Sequence, residues 1–266
     1  APTMVKRWRE RYLLVGPYAP ARAALEFEER KATGWVGRTV EALAAEGLTV
    51  RHGRWLVPGR PRVLLIEHES LRPQLDEIKF RLWEQHGIES PAGEWLIDGS
   101  IMFGEAVRRL MVAAARAWMG PGATELDEQG NEGEAPESGE ESNGQRAGAK
   151  QPSRRMIAHY HEWLGGVALP LLNRQHPNLP VASVFTTHAT QLGRTIAWGD
   201  EWFYDHLPFL DHTHEAAKFN IRCQHGIERA CAHACDVFTT VSPITGEECA
   251  HLLGRQPDMV LANGLN

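Results

Sequence analysis

The sequence lacks a long hydrophobic run. No stretch of its 266 residues approaches the roughly 20 consecutive apolar residues that a membrane-spanning helix requires. Its first residues also lack the charged start and apolar core of a secretory signal. These absences argue against a membrane protein and make a cytoplasmic one the expectation. With 42% hydrophobic and 8% aromatic residues, the chain has enough apolar side chains to form a folded core.

Cysteine is scarce and unevenly placed. The four cysteines, Cys223, Cys231, Cys235 and Cys249, all lie in the last quarter of the chain. Without an export signal, we expect reduced thiols buried in the core and not a disulfide framework.

Histidine and cysteine lie close together at several points, which raises the question of a zinc site. Cys231, His233 and Cys235 are two residues apart in a predicted helix, so their side chains point to different faces and do not converge. We therefore predict no metal ligands. The other clusters considered were His159-Tyr160-His161, His212-Thr213-His214, and Cys223 with His225.

The net charge of −6 comes from one segment. Residues 120–150 hold eight acidic and two basic residues, a difference of six. Because this segment has almost no large apolar side chains, we predict a disordered acidic insertion on the surface, with an acidic docking tail as the alternative. The remainder is electrically balanced, which argues against a nucleic-acid partner.

Outside that insertion, short apolar runs alternate with longer amphipathic ones. Strands separated by helices of ten or more residues predict an α/β fold, a Rossmann-like parallel sheet with helices on both faces. The predicted strands are 11–15, 62–66, 155–158, 181–187, 237–241 and 259–261. The predicted helices are 36–46, 71–86, 100–119, 165–175, 215–234 and 243–253.

Several motifs, taken in order, carry a family resemblance. They include AHYHEWLGG (158–166), VFTTHATQLGR (184–194), ERACAHACDVFTTVSPIT (228–245) and the final NGLN (263–266). Together they resemble the eukaryotic-type glycogen synthases, glycosyltransferase family 3. Further matching motifs are RYLLVGPY (11–18), VRHGRWLVPGRPRVLL (50–65) and LDEIKFRLWEQHGI (75–88).

The resemblance implies a fold and a reaction. The fold is GT-B, in which two Rossmann-like domains face each other across a cleft. The reaction transfers glucose from UDP-glucose to the non-reducing 4-hydroxyl of an α-1,4-glucan such as glycogen, retains the anomeric configuration, and needs no metal or other cofactor. The resemblance leaves open whether the full-length protein is a homo-oligomer.

Two residues are the catalytic candidates by this resemblance. His188 matches a histidine at a strand end beside the donor glucose, and Glu162 matches an acidic residue near the donor and acceptor hydroxyls. The alternatives are structural: His188 would simply begin a loop, and Glu162 would stabilise a helix N-terminus.

The substrate-binding candidates are the neighbours His161 and Thr187, together with Arg194, Asn263 and Gly264. Arg194 could face a phosphate group or form a structural ion pair. Asn263 and Gly264 follow the last predicted strand, where they could approach a sugar or simply form a turn.

The match covers only the N-terminal half of such an enzyme. The chain opens with APTMVKRW, which resembles the residues that follow the family's glycine-rich loop, and it closes where the interdomain linker should begin. We therefore expect residues 1–266 to be an N-terminal domain, incomplete at both ends, whose C-terminal GT-B domain is absent and which is inactive alone. The alternatives are a non-catalytic glucan-binding or regulatory remnant, and a GT-B enzyme using another nucleotide sugar, such as ADP-glucose.

Overall fold

The computed structural model describes residues 2–120 and 156–264, which contain two four-stranded sheets. The strands are β1 (Leu13–Pro17), β2 (Phe27–Glu29), β3 (Val50–Trp55), β4 (Arg62–Ile66), β5 (Met156–His161), β6 (Val181–Thr187), β7 (Val237–Thr240) and β8 (Met259–Val260). The first sheet has the order β1-β4-β3-β2, and the second has the order β5-β6-β7-β8.

Helices separate most of these strands. They are α1 (Pro2–Trp8), α2 (Pro20–Glu26), α3 (Gly34–Ala45), α4 (Leu75–His86), α5 (Trp95–Met119), α6 (Glu162–Gly166), α7 (Ala168–Gln175), α8 (Gln191–Ala197), α9 (Phe203–His206), α10 (His212–Lys218), α11 (Arg222–Ala234) and α12 (Pro243–Glu248). Short 3-10 turns cover Arg9–Arg11, His68–Gln74 and Leu207–Phe209, and a π-helical turn covers Cys249–Leu253.

The second sheet is parallel throughout. Its central strand β6 is rich in β-branched residues, and Phe185 of β6 stacks against Phe238 of β7 with ring centroids 5.8 Å apart. Parallel pairing places the carboxyl ends of all four strands at one edge, with Thr187 directly beside Thr240. The predicted α/β, Rossmann-like class is confirmed.

The first sheet is mixed, whereas the sequence pattern predicts a parallel sheet. β1 pairs parallel to β4, but β3 runs antiparallel to both β4 and β2. β3 and β2 were not predicted as strands, because Arg51, His52 and Arg54 interrupt the apolar pattern of β3. These side chains find partners at the sheet surface: Arg51 pairs with Glu67 at 2.7 Å and Arg54 with Glu10 at 2.6 Å.

Helix α5 is the centre of the core. It packs against α3, α4, α6 and α7, and so links the elements around the two sheets. Its buried face also holds Glu105, which is fully buried and pairs with Arg108 at 2.7 Å and Arg109 at 2.9 Å. Those guanidinium groups lower the pKa of Glu105 against the opposing effect of burial, so the carboxylate stays ionised inside the fold.

Several predicted helices have other boundaries in the structure: 71–86 is a 3-10 turn followed by α4, 165–175 is the end of α6 followed by α7, and 100–119 begins earlier, at Trp95. The predicted helix 215–234 is two helices, α10 and α11, because the chain turns at Asn220, whose φ of 57° is in the left-handed region. The predicted helix 243–253 is α12 continued by the π-helical turn.

Three further expectations concern the cysteines, the absence of a membrane span and the acidic insertion. The four cysteines are buried and free, as predicted. None of the helices in the described ranges has the length and apolar character needed to cross a membrane. The predicted acidic insertion, except for Gly120, lies outside the described residues.

Adjacent glycines in α6 give a matched stability test. A Cβ on Gly166 would lie 2.6 Å from the Cys231 sulfur and 3.1 Å from the Phe185 ring, whereas a Cβ on Gly165 would meet nothing within 4 Å. Gly166→Ala should therefore lower the free energy of unfolding by about 1–3 kcal/mol through overpacking. Gly165→Ala should leave it unchanged or raise it by up to about 1 kcal/mol. Urea unfolding of both variants measures the difference, and equal stabilities would contradict the packing described at α6.

Candidate active site

The carboxyl ends of β5 and β6 are joined by one side chain. Glu162 follows β5 directly, and its φ of 58° turns the chain sharply out of the sheet. Its Oε1 accepts a hydrogen bond from the backbone N–H of His188, which follows β6, at 3.0 Å. Both residues are partly buried. This contact brings the two catalytic candidates together at the sheet edge where parallel α/β folds bind ligands.

Three histidine rings form a row beside this contact. The ring centroids of His159 and His161 are 4.1 Å apart, and those of His161 and His188 are 5.9 Å apart. Partial desolvation and the neighbouring rings lower the pKa of His159 to about 4 and also lower that of His161. Both imidazoles are therefore neutral near pH 7, when each ring can donate one hydrogen bond and accept one.

A fully buried carboxylate supports the loop that carries His188. Glu228 of α11 accepts a hydrogen bond from the Thr187 hydroxyl at 2.7 Å and another from the backbone N–H of Gln191 at 2.8 Å. Burial raises the pKa of Glu228 to about 7, helped by the nearby carboxylates of Glu162 and Glu248 and opposed by the two hydrogen bonds. The loop is thus held at both ends by one side chain.

A second buried carboxylate, Glu248, supports the same loop at Thr190. Oε2 of Glu248 accepts from the Thr190 hydroxyl at 2.8 Å, and its Oε1 accepts from the Tyr204 hydroxyl at 3.0 Å. The Thr190 hydroxyl in turn accepts from the backbone N–H of Gly193 at 3.0 Å and so caps α8. A side chain at position 193 would collide with both Thr190 and Glu248, so glycine is required there.

The predicted site residues have different placements. Glu162, His188 and His161 lie together, as just described. Thr187 is next to them in sequence, but it is fully buried and its hydroxyl is bonded to Glu228, so it supports the loop from inside. Arg194 is exposed on α8, and its side chain forms no ion pair or hydrogen bond within the described ranges.

Asn263 and Gly264 lie beyond β8 in an exposed segment without regular secondary structure. A Cβ on Gly264 would meet nothing within 4 Å. Among the described residues, no hydrogen bond or ion pair joins Asn263, Gly264 or Arg194 to the pair of Glu162 and His188. Their predicted role in substrate binding stays a prediction.

Four residues that support the site were not predicted from the sequence: Glu228, Glu248, Thr190 and Tyr204. A signal for the first was present: Glu228 lies on the apolar face of α11, beside the buried Ile227, Cys231 and Ala232. A carboxylate on such a face must find hydrogen-bond donors, and the threonine-rich strand end was the available source. The contacts of Glu248 and Tyr204 depend on how α9 and α12 pack, which no local pattern indicates.

The chemistry of this edge favours a neutral, hydroxyl-rich ligand. Glu162 supplies a carboxylate, and only its Oε1 has a hydrogen-bond partner in the part of the chain that the structure describes. The neutral rings of His159 and His161 supply further donors and acceptors. Within the same part of the chain, no group of three His, Cys, Asp or Glu side chains is arranged to hold a metal ion.

Comparison with known proteins agrees with this description. The model of the family described as glycogen synthase matches residues 1–120 and 140–266. Over its whole length, the chain is 38% identical to Glycogen [starch] synthase of Neurospora crassa and 36% identical to Glycogen [starch] synthase isoform 1 of Saccharomyces cerevisiae. It is 34% identical to the liver Glycogen [starch] synthase of Mus musculus.

These matches cover all of this chain but only part of each relative. All of this chain is covered, but it spans about a third of each relative: 33% of the Neurospora protein, 34% of the yeast protein and 33% of the mouse protein. The family match covers far more than half of the chain. On that extent, and with an α/β fold, the chain belongs to the glycogen synthase family.

Proposed function

We propose that the protein containing this chain transfers glucose from UDP-glucose to the non-reducing 4-hydroxyl of an α-1,4-glucan, with retention of the anomeric configuration. Its partners are the nucleotide sugar and glycogen, its location is cytoplasmic, and it needs no metal. In this proposal the chain is the N-terminal half of a GT-B enzyme. The observation that carries the proposal is the contact between Glu162 and His188 at the carboxyl edge of the parallel sheet, in a member of this family.

Glu162 would orient sugar hydroxyls. Because Oε1 is engaged by the His188 N–H, the carboxylate is fixed in position and Oε2 can accept from a hydroxyl. Rigid orientation matters because glycosyl transfer passes through an oxocarbenium-like state in which positive charge builds on the ring. A carboxylate held near that ring stabilises the charge, and the neutral ring of His161 can bond hydroxyls without adding positive charge.

Glu228 and Glu248 keep this arrangement in place before substrate arrives. Both bind the segment between Thr187 and Gln191, one at its two ends and the other at Thr190. Their hydrogen bonds are made to buried donors, so breaking them would cost about 1–3 kcal/mol for each unpaired group. The loop that carries His188 is therefore preorganised.

The departing diphosphate would need cations or donors. Arg194, with no carboxylate partner among the described residues, is the nearest cation in sequence to His188 and could contact phosphate when the donor is bound. Asn263 and Gly264 would lie at the start of the link to the second domain. In a GT-B enzyme that second domain holds most of the nucleotide, and the site is complete only when the cleft closes.

Glu162→Gln tests the carboxylate directly. Glutamine keeps an oxygen that can accept from the His188 N–H but removes the negative charge, so the loop should persist while transfer slows. In the full-length protein we expect kcat to fall by roughly 100-fold, with little change in thermal stability. The measurement is incorporation of labelled glucose from UDP-glucose into glycogen.

Glu41→Gln is the matched control, because Glu41 is an exposed helical glutamate without a side-chain partner in the described ranges. It should retain full activity. If Glu162→Gln retained wild-type kcat with either UDP-glucose or ADP-glucose as donor, Glu162 would have no part in transfer. A full-length wild-type protein that binds glycogen but transfers from neither donor would favour the non-catalytic alternative.

The 266-residue chain alone should not transfer glucose. It lacks the counterpart of about two thirds of its relatives' length, and a one-domain cleft cannot close around a donor. The same assay on the purified chain, at enzyme concentrations at least 100-fold above those used for the full-length protein, measures this. Turnover by the purified chain would show that the second domain is dispensable.

A further inference from the structure

Helix α11 borders a cavity that is separate from the edge where Glu162 and His188 meet. The cavity has a volume of about 770 Å³ and lies between α11, the start of α10 and the residues that follow α4. It shares no lining residue with the candidate active site. Glu228 of α11 faces the sheet, whereas Arg222, Gly226 and Arg229, spaced three or four residues apart, line the cavity.

Small residues leave this space open. Gly226, Ala230 and Ala234 are four residues apart on α11, and Ala216 of α10 also lines the cavity. Spacing of four places the first three on one face of the helix, where none of them has a side chain long enough to fill the gap. The cavity is therefore a product of the α11 sequence and not of loose packing at a chain end.

The charged residues around it are mainly basic. Arg222 and Arg229 line the cavity against a single acidic lining residue, Glu89. Arg222 and Glu89 are 3.7 Å apart with both side chains mostly exposed, a weak pair. Arg229 forms no ion pair or hydrogen bond through its side chain in the part of the chain that the structure describes. The fixed charge at the opening is thus positive.

Two buried ring nitrogens of the lining lack partners. Nδ1 of His225 and Nε2 of His86 are buried and make no hydrogen bond, and His225 is only 5% exposed. Nε2 of His225 lies 3.1 Å from Nδ1 of His212. When His212 donates to that nitrogen, the single proton of neutral His225 lies on Nδ1, where it is a donor without an acceptor. Buried donors of this kind are normally satisfied.

We propose that this cavity binds an anion of the phosphate class, either free phosphate or the phosphoryl group of a small molecule. Arg229 and Arg222 supply the charge, since guanidinium groups match phosphate oxygens in pairs. His225 and His86 offer nitrogen atoms that the protein leaves unpaired. The small residues of α11 provide the space. The inference does not depend on the proposed transfer reaction.

Calorimetric titration of the 266-residue chain with inorganic phosphate tests the proposal, in a phosphate-free buffer at constant ionic strength. We expect saturable binding with one site per chain. Arg229→Gln removes the unpaired charge from an exposed position, and Ala230→Leu fills the floor without changing charge. Each should weaken binding by at least about 10-fold, while thermal unfolding of Arg229→Gln stays at the wild-type temperature.

Arg22→Gln is the control, because Arg22 is an exposed helical arginine without a side-chain partner in the described ranges. It should bind phosphate as the wild type does. Absence of saturable binding up to about 10 mM, or equal weakening in all three variants, would overturn the proposal. Succinate, a dicarboxylate, should bind at least about 10-fold more weakly than phosphate; equal affinity would reject the phosphate assignment.

Discussion

The site depends on the two hydrogen bonds that the carboxylate of Glu228 accepts. This carboxylate is fully buried, yet it holds the Thr187 hydroxyl and the Gln191 N–H, and so it ties α11 to the end of β6 and the start of α8. His188 lies between those two anchors. Removing water from a carboxylate is costly, and two hydrogen bonds offset only part of that cost, so burial raises the pKa of Glu228. This unfavourable burial occurs where the carboxylate fixes the loop beside the candidate active site.

Helix α11 shows how one element can serve two regions. Its apolar face packs into the core through Ile227 and Cys231, and Glu228 on the same side supports the β6 loop. Arg229, the next residue, is turned away by about 100° and lines the separate basic cavity. Residues 222–234 therefore contribute to the core, the site and the cavity from different faces of one helix.

Local pattern predicted much of the fold and less of the site. β4 and β6 were predicted with their observed boundaries, because both are continuous apolar or β-branched runs. β3 was missed because its charged side chains pair with Glu67, just after β4, and with Glu10, before β1, which only tertiary structure shows. Glu162 and His188 came from the family resemblance, and the structure adds that they are in contact. Glu248 and Tyr204 meet across 44 residues of sequence, a separation that spacing alone cannot resolve.

A buried, destabilised carboxylate holds the His188 loop, and the pH dependence of stability tests this arrangement most directly. Burial raises the pKa of Glu228 to about 7, from about 4.5 in the unfolded chain, so the folded state binds more protons between those values. Stability contributed by this group must then fall as pH rises through that window.

Urea unfolding of the wild type and Glu228→Gln between pH 5 and pH 8 measures this contribution, because the histidines titrate alike in both proteins. The free energy of unfolding of the wild type, minus that of the variant, should decrease by on the order of 2 kcal/mol across the range. A difference that stays constant with pH would show that Glu228 titrates normally, and would contradict its role as a buried anchor of the His188 loop.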